Sequence, residues 1–143
     1  KMVVVGDGPA KADMEAAMPE AHFTGHLSGG ELSEWYASSD LFLFPSTTET
    51  FGNVILEAFA SGLPVICADK GGSRDLVSNE KDGFITRAHS PWDMAEKAMI
   101  LLDNPELRQS FREGALEKSE RYCWQTINKK LLASYAQVLT ARN

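Results

Sequence analysis

The chain has 143 residues and a formal net charge of −6, from 14 Lys and Arg against 20 Asp and Glu. Hydrophobic residues make up 43% and charged residues 24%, the composition of a folded domain with enough chain to bury one core, which excludes a disordered tail. The acidic balance argues against a nucleic-acid partner, no apolar run approaches the roughly 18 residues of a membrane span, and the two cysteines and three histidines lack metal-ligand or disulfide spacing.

Residues 2–5, Met-Val-Val-Val, predict a buried strand ended by the turn Gly6-Asp7-Gly8-Pro9. An apolar strand with nothing before it, and without the pattern of a secretory leader, leads us to expect a further domain upstream. A helix is predicted over 10–18, closed by Pro19, then a short strand at Phe23 and Thr24, stopped at Gly25. Residues 31–38 have helical spacing, with Leu32, Trp35 and Tyr36 on one face. Residues 41–44, Leu-Phe-Leu-Phe, form the next strand, ended by Pro45. A polar loop over 46–50 leads into a helix over 51–60, with Gly62 at its C-terminal end.

Residues 64–68 are a further strand, broken by Gly71-Gly72, and a short helix is expected over 74–77. Phe84 and Ile85 make a last strand after the turn at 81–83. From there the pattern is helical. Ser90-Pro91 and Asn104-Pro105 each place a capping residue before a proline at the first helical position. Trp124, Ile127, Leu131, Tyr135 and Val138 recur at helical steps and predict a final amphipathic helix. Alternating strands and helices predict an α/β fold, a Rossmann-like parallel sheet of five to six strands covered on both faces with a helical C-terminal extension. Residues 1–86 with 87–123 are expected to form the α/β unit, and 124–143 the last helix. Cys67 and Cys123 read as buried thiols of a cytoplasmic protein.

In open sheets of this kind ligands bind beyond the carboxyl ends of the strands. The first such end, Gly6-Asp7-Gly8, invites a dinucleotide reading. That reading fails, because Lys11 stands where the third glycine of G-x-G-x-x-G belongs. The informative segment is Glu49-Thr50-Phe51-Gly52-Asn53-Val54-Ile55-Leu56-Glu57. Gly52 allows close approach to the main chain, and the N–H groups of Gly52, Asn53 and Val54 open the helix at the positive end of its dipole. This arrangement suits a diphosphate. Glu49 and Glu57 flank it, and a carboxylate accepts two hydrogen bonds at once, as a vicinal diol requires. The plainer reading makes Glu49 a capping acid and Glu57 a solvated helix residue. Against it, Glu57 is expected among the apolar neighbours Leu56, Phe59 and Ala60, where a carboxylate needs a partner.

The segment 45–58 resembles the E-x7-E signature of the family 4 retaining glycosyltransferases. So do 5–9, 23–26, 37–40, 61–65 and Gly71-Gly72, in order over nearly the whole chain. The resemblance implies the C-terminal, donor-binding half of a two-domain GT-B enzyme that transfers a hexose with retention of configuration. It implies that Glu49, the candidate catalytic residue, holds the 3- and 4-hydroxyls of the donor sugar, and that Glu57 holds the ribose. Main-chain N–H groups of Phe51, Gly52 and Asn53 would contact sugar and distal phosphate, with Val54 nearby, and His26 and Leu27 would flank the base. The implied partners are a nucleotide-diphosphate sugar, as substrate, and the chain's own N-terminal acceptor domain. No cofactor, metal or nucleic acid is implied, and membrane contact is expected only through that missing half, peripheral to an inner membrane.

The Arg and Lys with which the family clamps the diphosphate belong upstream of the first motif present. Lys70 and Arg74 stand on a neighbouring loop, where solvation is their expected role. The chain alone is therefore expected to bind nucleotide weakly and to transfer nothing. The alternatives are a non-catalytic nucleotide-sugar binding module and a GT-B-like nucleotide-sugar epimerase, the second of which would differ at the glutamate pair. A response-regulator receiver would need paired acids after the first strand, which Asp7 alone does not supply.

Overall fold

A computed structural model describes residues 1–141. It divides into two compact units, Lys1–Trp35 and the chain from Tyr36 onward.

In the first unit β1 (Val3–Val5) and β2 (His22–Gly25) pair in parallel, connected through α1 (Lys11–Ala17). Asp7 Oδ1 accepts from the Gly8 N–H at 2.9 Å, which tightens the turn after β1. α2 (Gly29–Ala37) follows, and the boundary between the units falls inside it. The His22 and Trp35 rings stack with centroids 5.4 Å apart. The expected burial of the first strand is not found. Val3 and Val4 are half-buried, Val5 and Met2 are exposed, and none of residues 1–35 is fully buried. Hydrophobic strand composition reports a face that can be covered, and a two-stranded pair with one short helix covers it only in part.

The second unit carries the core. β3 (Phe42–Phe44), β4 (Val65–Ala68) and β5 (Gly83–Thr86) lie side by side in that order, all parallel, with β4 central. Every residue of β4 is buried, as expected for a parallel strand with neighbours on both edges and layers on both faces. Its side chains alternate between those layers. Val65 and Cys67 join Ile55, Ala58 and Phe59 of α3 (Asn53–Ala60) and Leu76 of α4 (Ser73–Leu76). Ile66 joins Phe84, Ala98 and Leu101 of α5 (Pro91–Asp103) and Phe111 of α6 (Pro105–Arg121). Burial pushes the Cys67 thiol up to about 11, helped by the nearby charge of Asp82.

The caps read from the sequence are in place. Ser90 Oγ accepts from Asp93 N and Asn104 Oδ1 from Leu107 N, each with proline at the start of its helix. The final helix, α7, runs Trp124–Thr140 and buries no side chain, and the end of the expected span, 142–143, lies outside the described residues. Cys123 corrects a second expectation. It stands at the N-cap of α7, only half-buried, with Sγ 3.2 Å from Thr126 Oγ1, and that hydrogen bond holds its thiol below the ordinary value.

Candidate donor site

The loop after β3 is fixed by backbone contacts. The Gly72 N–H donates to Glu49 O at 2.7 Å, and the fit allows nothing between the two segments. A Cβ on Gly72 would lie 2.0 Å from Thr50 O, and one on Gly71, whose φ is +78°, would lie 2.9 Å from Glu49 O. Gly71-Gly72 therefore does more than end β4. It seats the Glu49 loop against the start of α4.

The Glu49 side chain folds over the start of its own loop. Oε1 accepts from the Thr50 N–H at 3.0 Å and the Phe51 N–H at 3.3 Å, and Oε2 accepts from none of the described residues. These bonds close the loop before Gly52 and do not cap α3, which has no side-chain cap, so the capping-acid reading of Glu49 is not met, and one carboxylate oxygen is left over. Gly52 then takes the left-handed conformation, φ 93° and ψ 52°, as the N-cap of α3. This delays the helix by two residues relative to the expected start at Phe51. The Gly52 O accepts from Ile55 N at 2.9 Å, whereas the N–H groups of Gly52, Asn53 and Val54 meet no acceptor among the described residues. Three of the four predicted amides are therefore left without an acceptor among the described residues, those of the exposed Asn53, the half-buried Val54 and the buried Gly52, and that of Phe51 is turned onto Glu49.

Glu57 lies one turn further along α3. It is exposed, not set among apolar side chains as expected, because its position points off the face formed by the buried Ile55, Ala58 and Phe59. Its carboxylate nevertheless has a partner: Tyr36 Oη lies 3.2 Å from Glu57 Oε2 and 3.5 Å from Val54 O. Burial raises the Tyr36 phenol well above its ordinary value, and the adjoining Glu57 charge adds to the effect. Neither Glu49 nor Glu57 joins an ion pair among the described residues. Tyr36 is a contact the sequence reading missed. Its helical spacing placed it on a packing face, and nothing local joins it to a carboxylate 21 positions away.

Arg74 turns to its own loop, donating to Asp69 O at 3.2 Å with Asp75 Oδ1 3.9 Å away, and Lys70 is exposed. His26 and Leu27 follow β2 in the first unit, the histidine exposed and the leucine half-buried. Among the described residues no group of three or more His, Cys, Asp or Glu side chains is gathered as a metal site requires. No helix among them is long and apolar enough to cross a membrane.

Residues 1–118 match the family model described as glycosyl transferases group 1. The chain belongs to that family. Its α/β fold with parallel strands is that of the C-terminal, Rossmann-like domain of GT-B glycosyltransferases. Among relatives of this group 1 domain, the sulfoquinovosyl transferase SQD2 of Arabidopsis thaliana is 40% identical over 137 residues, covering 92% of the chain and 27% of that protein. A GDP-mannose-dependent alpha-mannosyltransferase of Mycolicibacterium smegmatis is 34% identical over 146 residues, covering the whole chain and 38% of that protein. Anabaena Alr3699/HepE, solved in complex with UDP, superposes with a TM-score of 0.81 at 24% identity, over 94% of the chain and 40% of its own. The group 1 domain here thus spans well under half the length of these proteins.

Proposed function

We propose that the chain is the donor-binding half of a retaining hexosyltransferase that uses a nucleotide-diphosphate sugar. The observation that carries this reading is the row of N–H groups at Gly52, Asn53 and Val54 that meet no acceptor among the described residues, between two carboxylates that join no ion pair among them. In this reading the amides receive the distal phosphate, Glu49 Oε2 and the sugar-facing side of its carboxylate hold the sugar hydroxyls, and Glu57, oriented by Tyr36, holds the ribose. Relatives named for GDP-mannose and a fold neighbour solved with UDP support the donor class.

The transfer proposed is metal-independent and proceeds on one face of the sugar. The bond from the anomeric carbon to the phosphate oxygen breaks, the acceptor oxygen bonds to that carbon, and the acceptor proton passes to the departing diphosphate. The chain's contribution is position and charge stabilisation by prearranged N–H donors. Because the chain spans so little of its relatives, transfer is proposed to need an acceptor domain, with the reaction taking place in the cytoplasm.

Calorimetric titration of the chain with UDP, GDP and ADP tests the reading. One of the three is expected to bind, and Glu57→Gln to weaken it about tenfold, the loss expected for a charge-assisted hydrogen bond. Absence of binding by all three at millimolar nucleotide overturns it.

A further inference from the structure

α4 is a single turn, yet both of its ends reach the candidate site. At its start Gly72 N donates to Glu49 O, and at its end Leu76 Cδ1 lies 3.5 Å from where a Cβ on Gly52 would stand. One turn has little stability of its own, so its position must be set from outside. Burial of Leu76 in the core supplies part of this, and a polar anchor comes from α6. Lys118 Nζ donates to Leu76 O at 2.5 Å and Ser78 Oγ at 2.6 Å, and lies 2.7 Å from Asp82 Oδ2. The ammonium group has three N–H donors, and these acceptors use all of them. Asp82 completes the knot by accepting from Ser78 N at 2.7 Å through its other oxygen. The Lys118 and Asp82 side chains are only 13% and 4% exposed. Its hydrogen bonds and ion pair all fall on residues 76–82, the last residue of α4 and the segment that leaves it, and the same ammonium lies 5.7 Å from the Phe59 ring centroid in α3.

Buried ion pairs of this kind are often replaceable by apolar side chains without loss of stability, so a contribution to stability does not by itself account for one here. We propose that Lys118 is a positioning residue for the donor site. Held by Asp82, it fixes the end of α4, and through that turn both the Gly72–Glu49 contact and the glycine that starts α3. The proposal rests on the donor-site reading given above.

Lys118→Met alone would strand Asp82 without its counter-charge, so the test uses Lys118→Met/Asp82→Asn, which removes both charges together. Circular dichroism and a urea melt establish that this variant folds. Amide resonances then report Gly72 directly, while UDP, GDP and ADP are titrated into the variant and the unaltered chain. The variant is expected to show a displaced, faster-exchanging Gly72 amide and about tenfold weaker nucleotide binding. A folded variant whose Gly72 amide is unmoved, or whose affinity is unchanged, overturns the proposal. Should the double variant not fold, Lys118→Arg, which keeps the charge but cannot set one nitrogen among three acceptors, is read by the same two criteria. Loss of the donor-site reading would show as no binding by the unaltered chain, whereas loss of the positioning role shows only in the variants.

Discussion

Gly72 has no room for a side chain. Replacing it with alanine drives a methyl group into Thr50 O, and the loop must shift, at a cost of about 1–3 kcal/mol. Gly8→Ala, with nothing within 4 Å of the added carbon, is expected to stay within about 0.5 kcal/mol of the parent in parallel urea melts. Equal losses at the two positions would contradict the close contact. Tyr36 supplies a second residue-scale expectation. Its phenol ordinarily ionises at 10.0, and burial, with Glu57 beside it, holds the proton on in the folded chain. Above that pH the unfolded chain releases a proton that the folded chain keeps. The contribution to stability is therefore complete below pH 10 and is lost as pH climbs toward the raised folded value. Glu57→Gln is expected to move the Tyr36 step of a tyrosinate absorbance titration to lower pH, and an unmoved step would mean the two groups are not coupled. The placing of the two glutamates on either side of Gly52 was legible in the sequence because that spacing is local, whereas the exposure of Glu57 was not. Tyr36 and Lys118 were not, since their partners are set by tertiary packing.

At the level of elements, punctuation was the legible part. Ser90 and Asn104, each followed by proline, mark the starts of α5 and α6 at the positions observed. Ser90→Ala and Asn104→Ala are each expected to cost about 1 kcal/mol, measured by denaturant melts of the single variants. A null result for both would show that the prolines alone define these starts. α3 was harder to bound. Phe51 and Gly52 continue its apolar pattern, but the left-handed glycine and the hydrogen bond from Phe51 N–H to Glu49 hold them outside the helix. α7 shows the opposite limit. Its periodic Trp124, Ile127, Leu131, Tyr135 and Val138 read as a packing face, yet in the structure all five are exposed. Periodicity reveals that a face exists, not what meets it.

Over the whole molecule, strand count, strand direction and the layers around β4 were legible, because near-continuous apolar runs between helices leave few other solutions. The distribution of burial was not. Five strands suggested one shared core, whereas the fully buried hydrophobic residues all lie between Ile55 and Ala115. Local stability should follow that distribution. Amides of β1 and β2 are expected to exchange with solvent faster than those of β4 under native conditions. Similar protection across all three strands, followed by amide exchange, would show a core shared more evenly than the burial pattern gives.

The seam between Gly71-Gly72 and the Glu49 loop also divides the candidate site by how freely it can change. Its inner side is backbone against backbone, where any added atom collides. Thr48, Thr50 and Phe51 on the outer side are exposed, so their side chains can be exchanged without disturbing that seam. Under the donor-site proposal, variation in which sugar nucleotide is preferred would have its open positions along this outer rim, above a floor that mutation can break but not retune.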